Sequence, residues 1–253
     1  MDRNPDRRIV SFVVPAWNEE RWLPGALTAI RDAAAALGLD HEIVVADDGS
    51  TDRTAELARA AGATVIPVLH RQIAATRNAG ARASRGQVLL FVDADTIVNP
   101  AVVRAALAAV DRGAVGGGCG FRFDGHVPFW TRPMLRFMVF AFRRARLAAG
   151  CFFFVRQSDF QAVGGFDESL YAGEELALAR ELKRRGPFVV LREQVETSAR
   201  KLRSYGGARH FRDFLRLVWK GEKALRNRDL LDLWYRDARH DPQGPGRPAQ
   251  RDP

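Results

Sequence analysis

Four acidic clusters carry the residue types from which a reactive site could be built. Asp93-Ala94-Asp95 follows an apolar run, and two carboxylates flanking one small residue can share a hard divalent cation and its waters. Such a cation needs further oxygen ligands, and a diphosphate would supply them. Asp47-Asp48-Gly49-Ser50-Thr51-Asp52 and Pro15-Ala16-Trp17-Asn18-Glu19-Glu20 also follow apolar runs, and Glu174-Glu175 opens a helical stretch. Turn and capping chemistry accounts for Ser50 and Thr51. Two acids at a helix start could also merely favour its dipole. Neither explains why carboxylates gather on adjoining strand ends, where repulsion raises their cost; a shared metal ion or a base-reading role would relieve it.

Placing these clusters requires a scaffold that brings strand ends together. The periodicity predicts strands at Ile9–Val14, Ile43–Ala46, Thr64–Leu69 and Val88–Val92. Helices are expected between them, at about Arg21–Leu37, Thr54–Ala61 and Ile73–Ser84, and then from the Asn99 cap and Pro100 to Arg112. Strand–helix alternation at this spacing means an α/β fold, a mainly parallel sheet with helices on both faces. Ligands then bind beyond the carboxyl ends of the strands, where the acids lie. After Gly113 the pattern changes. Glycines 116–118 and 120 precede an aromatic and arginine-rich stretch, Phe129–Leu147. A strand at Cys151–Val155, a short helix, a helix at Glu174–Arg185 and a strand at Phe188–Leu191 follow. Two amphipathic helices are expected at about His210–Arg226 and Leu230–Arg239, before a Pro/Gly/Arg-rich, disordered end.

Composition excludes several classes. The 253 residues are 47% hydrophobic, too apolar for a disordered chain. The two cysteines, Cys119 and Cys151, are far apart and make neither a zinc motif nor a disulfide framework. The five histidines show no HxxxH spacing. The start of the chain lacks the apolar run of a signal peptide, and Met134–Val155 is broken by four arginines, so the chain reads as intracellular. The formal charge is +9, but residues 1–199 hold 25 basic and 23 acidic residues, whereas residues 200–253 hold 14 and 7. The excess is thus a basic C-terminal attachment on a near-neutral body.

In combination, Val14-Pro-Ala-Trp-Asn-Glu-Glu20, Val45-Ala-Asp-Asp-Gly-Ser-Thr-Asp52, Ala75-Thr-Arg-Asn-Ala-Gly80 and Phe91-Val-Asp-Ala-Asp-Thr96 resemble the successive motifs of family 2 nucleotide-sugar glycosyltransferases. Gly164-Gly-Phe-Asp-Glu168 and Gly173-Glu-Glu-Leu-Ala-Leu-Ala-Arg-Glu-Leu182 resemble that family's acceptor-side motifs. The likeness runs in order from about residue 9 to 205. It implies a GT-A fold, with a nucleotide-sugar half at 5–115, an acceptor and base half at 116–205, C-terminal helices at 206–240 and a tail at 241–253.

The resemblance also implies roles. Pro15 and Glu19 would line the nucleoside pocket, Asp48 would accept a hydrogen bond from the base (typically uracil), and Arg77 would hold the nucleotide or its phosphates. Asp93 would contact the ribose or a metal-bound water, and Asp95 would bind Mg²⁺ or Mn²⁺ directly. The base is the second acid of the pair, so Glu175 is the candidate and Glu174 its neighbour; Glu in place of the family's usual Asp is a departure. Gly164 and Gly165 would let the backbone approach the sugar. Arg200 or Lys201, in a segment like a late one of bacterial members, could close over the diphosphate. The chain has no QxxRW, the signature of processive synthases, which points to single transfers.

The expected reaction is inverting transfer of one sugar from a nucleoside-diphosphate donor, a UDP-sugar by the resemblance, to an acceptor hydroxyl. A lipid-linked acceptor would suit an interfacial role for Phe129–Leu147 at the inner membrane face; core packing is the alternative for that segment. Two other readings compete. A nucleotidyltransferase would carry a Gly-rich, basic phosphate loop after the first strand, where this chain has Trp17-Asn18-Glu19-Glu20. A non-catalytic basic scaffold or anion-binding protein, or a nucleic-acid-binding protein using the basic tail, has no recognisable binding motif here, and the aromatics are not spaced to stack bases.

Overall fold

The computed structural model describes residues 8–125, 150–200 and Arg226. The aromatic stretch at 129–147, the expected helix at 230–239, most of that at 210–226, the tail and Lys201 lie outside the described residues.

The alternation read from the sequence is present as β1 (Ile9–Ala16), α1 (Leu23–Ala36), β2 (Asp40–Asp48), α2 (Thr54–Ala60), β3 (Thr64–Val68), α3 (Ile73–Ala83) and β4 (Val88–Val92). Then come β5 (Thr96–Ile97), α4 (Pro100–Asp111), β6 (Gly116–Phe123), β7 (Phe152–Arg156), α5 (Gln157–Ala162), α6 (Glu174–Arg185) and β8 (Phe188–Thr197). All eight strands form one sheet, ordered β3-β2-β1-β4-β7-β6-β8-β5. The pairs β3–β2, β2–β1 and β1–β4 are parallel, so the carboxyl ends of all four strands reach the same edge. β7 enters antiparallel to both β4 and β6, which makes the second half of the sheet mixed.

Both faces of the sheet are covered, which is why the strands read as unbroken apolar runs. Phe12, Val14, Val45, Leu90, Phe152 and Phe154 pack with α1 and α4 on one face. Val13, Leu89, Phe91, Phe153 and Val155 pack with Phe160, Phe166, Leu178 and Leu182 on the other. α4 starts where its signals put it: the Asn99 side chain accepts the Val102 N–H at 3.0 Å, with Pro100 in the first turn. No helix among the described residues is long and apolar enough to cross a membrane.

Three differences from the sequence reading have physical causes. β2 runs on to Asp48 and β8 to Thr197, because strand pairing tolerates polar residues beyond an apolar run. The two-residue β5 is too short to leave a periodic signal. β6 contains the glycines that the sequence pattern left without an element. Glycine weakens a strand in isolation, yet here nothing larger fits. A Cβ on Gly117 would lie 2.0 Å from the Val189 carbonyl and 2.5 Å from the Phe154 ring.

Candidate active site

The site lies where β1, β2 and β4 end, facing the start of α6 and the segment after β8. Its organiser is Arg77, one turn into α3. That helix is pinned at its start by Gln72, whose side chain accepts the Ala75 N–H and donates to the carbonyls of Glu168 and Leu170. Gly80 allows it to press on β1, since a Cβ there would come within 2.5 Å of Val13. α3 is therefore buried almost throughout, and the Arg77 side chain must find its partners inside the protein.

It finds three carboxylates. Arg77 Nη1 donates to Glu174 Oε1 at 2.8 Å and Glu175 Oε1 at 3.0 Å; Nη2 donates to Asp93 Oδ1 at 2.8 Å and the Gly150 carbonyl at 2.9 Å. Burial alone would lower the affinity of this guanidinium for its proton, but Asp93, Glu175 and Glu174 together raise it above the usual arginine range. Nε is buried without a hydrogen-bond partner among the described residues. The resemblance implied a hold on the nucleotide or its phosphates. In this arrangement both Nη groups are engaged by protein acceptors, and Arg77 ties the Asp93 side of the site to the Glu174–Glu175 side.

The acids are not equivalent. Glu174 is only 3% exposed, and burial followed by the charge of Glu175 pushes its pKa up to about 8, against the pull of Arg77. Glu175 is the more open of the two, at 15%. Asp93 is pushed upward by burial and by Asp95 and Glu175, with Arg77 opposing. Gly150, which the sequence reading did not single out, makes room for Glu175: a Cβ there would stand 1.9 Å from Oε1. A glycine in the turn just before an aromatic strand is the signal in the sequence, though turn chemistry alone would also account for it.

Asp95 faces another arginine. Arg200, buried just past β8, sets its two Nη groups on the two carboxylate oxygens of Glu19, each at 2.6 Å, and Nη2 also lies 3.0 Å from Asp95 Oδ2. Asp95 Oδ1 accepts from the Thr197 hydroxyl at 3.4 Å. Glu19, Asp95 and Arg200, drawn from three distant segments, thus meet in one ionic cluster. Asp93 and Asp95 are hard oxygen donors of the kind Mg²⁺ or Mn²⁺ takes. Each already faces a guanidinium, so positive charge stands where a cation would be held. No group of three or more His, Cys, Asp or Glu among the described residues forms a ready-made cage. With two carboxylates and no third such ligand among the described residues, the pair would hold only a cation whose shell is completed from outside the protein.

On the other side of β2, Asp48 accepts from the backbone N–H groups of His70 (2.7 Å) and Arg71 (2.8 Å) through Oδ1. Its Oδ2 accepts from Gln72 N–H (3.2 Å) and the Thr76 hydroxyl (2.9 Å). Four donors fill the acceptor positions of one carboxylate, so Asp48 shapes the 70–76 turn from behind. Arg71, held at a φ of 51°, lays its guanidinium 4.1 Å from the Trp17 ring centroid. Pro15 is buried in β1, paired with Ala46. Asn18 joins the β1 and β2 ends through the Thr51 N–H and the Ser50 hydroxyl.

The acceptor-side glycines both adopt positive φ, 81° at Gly164 and 80° at Gly165. A Cβ on Gly165 would meet Asn78 Oδ1 at 2.7 Å, whereas one on Gly164 would meet open space. Asn78 stitches this loop to α3: it accepts the Phe166 N–H and donates to the Phe166 carbonyl and Glu168, each at 2.9 Å. The site thus holds two ionic clusters, Arg77 with Asp93, Glu174 and Glu175, and Arg200 with Glu19 and Asp95, which act on each other electrostatically through Asp93 and Asp95; Pro15 and Asp48 lie on the neighbouring strands.

The family model described as Glycosyl transferase family 2 matches residues 11–164. An undecaprenyl-phosphate 4-deoxy-4-formamido-L-arabinose transferase of Pseudomonas paraeruginosa is 42% identical over 99 residues, 36% of this chain and 29% of that protein. A validoxylamine A glucosyltransferase of Streptomyces hygroscopicus subsp. jinggangensis is 28% identical over 228 residues, 73% of this chain and 54% of that protein. The chain thus covers less than two thirds of either relative. Among solved structures, the mannosyltransferase PcManGT from Pyrobaculum calidifontis, in complex with GDP-Man and Mn²⁺, superposes with a TM-score of 0.64. The identity is 19%, over 84% of this chain and 66% of that one, and the likeness is one of fold.

Proposed function

Since the chain belongs to glycosyl transferase family 2, we propose that it transfers a single sugar, with inversion, from a nucleoside-diphosphate donor to an acceptor hydroxyl, with Mg²⁺ or Mn²⁺ bound. The observation that carries this reading is the pair of acid groups joined by Arg77, Asp93 on one side and Glu174–Glu175 on the other. It is the arrangement a displacement needs, with leaving-group chemistry and proton removal held at a set distance.

Asp95 and Asp93 would hold the metal, whose bound charge would offset that building on the departing diphosphate. The chain's own residues do the rest. Burial keeps a proton on Glu174, so Glu175 is the base. It takes the acceptor hydroxyl's proton while that oxygen bonds to the anomeric carbon, and the carbon–oxygen bond to the diphosphate breaks on the opposite face. Gly164 and Gly165 let backbone approach the sugar. Pro15 and Glu19 line the nucleoside side, and Asp48 sets the turn against which the base rests. Uracil is the base implied by the motifs, and Arg200 would close over the donor's phosphates. A lipid-linked acceptor at the cytoplasmic membrane face suits the basic C-terminal attachment, and it is consistent with the undecaprenyl-phosphate in one relative's name.

The test is a panel of UDP- and GDP-sugars, with nucleoside triphosphates for comparison and Mg²⁺ or Mn²⁺ present or absent. Thermal shift and donor hydrolysis are the readouts. Expected are metal-dependent stabilisation by a UDP-sugar, its loss in Asp95→Ala, and retained donor binding without turnover in Glu175→Gln. Full transfer by Glu175→Gln would move the base to Glu174, and a response to triphosphates alone would overturn the reading.

A further inference from the structure

Resting on that reading of the site, we infer that Arg200 is a built-in substitute for the metal ion. It holds Asp95 while the site is empty and yields it when a cation arrives together with the donor's diphosphate.

The geometry has three parts. First, Arg200 Nη2 lies 3.0 Å from Asp95 Oδ2, so a guanidinium engages the carboxylate that would ligate a divalent cation. A cation on the same carboxylate would stand in close like-charge contact with that guanidinium. Second, the side chain has somewhere to remain when Asp95 is withdrawn. Its fork is matched to both oxygens of Glu19 at 2.6 Å, and a bidentate pair of this kind is strong and directional. The guanidinium can therefore release Asp95 by a small pivot about Glu19. Its backbone is anchored too, since the neighbouring Ala199 N–H donates to Asp124 at 2.7 Å. Third, the freed donor favours a joint arrival. Among the described residues, Glu19, Asp93, Asp95, Glu174 and Glu175 pair with Arg77 and Arg200, so a cation meets acids that guanidinium groups already engage. Entering alone it must loosen Arg200 from Asp95 and leave that N–H unmatched. A diphosphate entering with it receives that donor and completes the metal's shell.

Metal and nucleoside diphosphate therefore bind with positive coupling, and Arg200 is the residue that makes metal alone bind poorly. In thermodynamic terms each ligand lowers the cost of the other by the same factor.

The experiment measures Mn²⁺ binding by the electron paramagnetic resonance of the free ion, with and without UDP, on the full chain. The wild-type protein is expected to bind Mn²⁺ at least about tenfold more tightly with UDP present, within the usual range of coupling. Arg200→Gln should bind Mn²⁺ alone about tenfold more tightly than wild type and lose most of the UDP-dependent gain. Arg122→Gln removes an equal charge from the exposed pair with Glu196 and should change neither value. Trp22, whose ring centroid lies 5.7 Å from the Arg200 guanidinium carbon, gives a second readout. Mg²⁺ with UDP should change tryptophan emission in wild type, and much less in Trp22→Phe or Arg200→Gln. Should Arg200→Gln fail to fold, Glu19→Gln serves instead; it leaves the guanidinium to Asp95 alone and should weaken binding of Mn²⁺ by itself. Unchanged or weaker binding of Mn²⁺ alone in Arg200→Gln, or an equal gain in Arg122→Gln, overturns the exchange while the proposed function stands. Absence of both UDP and Mn²⁺ binding in wild type overturns the two together.

Discussion

Arg77 Nη1 stands 2.8 Å from Glu174 Oε1, and both side chains are 3% exposed. With its pKa raised to about 8, Glu174 accepts this hydrogen bond as a largely protonated carboxyl at neutral pH, on a helix 97 residues further on. Desolvating the guanidinium is expensive, and Glu175, Asp93 and the Gly150 carbonyl offset that cost as its other acceptors.

Removing the cation should therefore be severe. Arg77→Met would strand carboxylates in the interior, at a cost of about 3–5 kcal/mol. Arg77→Lys keeps the charge but cannot span four acceptors with a fork, and should recover only part of the loss. Urea denaturation at neutral pH checks both, and a wild-type midpoint in Arg77→Met would contradict the role.

Glu174 makes stability depend on pH with a definite sign. Its pKa is raised from 4.5 to about 8, so between those values the folded protein binds a proton that the unfolded chain releases. Its contribution is complete below the lower value and is lost as pH rises through the upper one. Wild-type stability should fall across this window, and Glu174→Gln should flatten the fall. Urea midpoints at half-unit pH steps measure it; parallel curves for the two proteins would refute it.

Gly150→Ala separates placement of the base from folding. The new methyl would meet Glu175 Oε1 at 1.9 Å, and that flexible carboxylate can move aside cheaply. A displacement of about 1 Å at a reacting group can cost on the order of a hundredfold in rate. The variant should keep its thermal midpoint and donor KM while kcat falls at least about tenfold. Equal losses in melting temperature and donor binding would point to a structural fault instead.

Asp48→Asn tests the turn behind the nucleoside side. One of its two acceptor oxygens becomes a donor aimed at donors, leaving backbone N–H groups of residues 70–72 unmatched, while the Thr76 hydroxyl keeps the Gln72 carbonyl. The expected cost is about 1–3 kcal/mol. Hydrogen exchange at the amides of residues 70–72 should accelerate, and donor binding should weaken. Native protection at these amides would rule the role out.

Much of this protein is legible in its residue order. Unbroken apolar runs such as Ile9–Val14 and Val88–Val92, separated by capped or glycine-ended helices, determine the layered α/β fold, because a strand buried on both faces must be apolar throughout. The same order puts Asp48, Asp93 and Asp95 at strand ends on one edge, since parallel strands all finish on one side. Only the tertiary structure decides which charges meet. Arg77 and Glu174 are 97 positions apart, and Arg200 and Glu19 are 181 apart. No local spacing encodes those pairs; burial does, because a guanidinium enclosed by the fold must find every acceptor within reach. The glycines follow the same rule. Gly117 and Gly150 look like breaks in a pattern until the Val189 carbonyl and the Glu175 carboxylate are seen in the space a side chain would need.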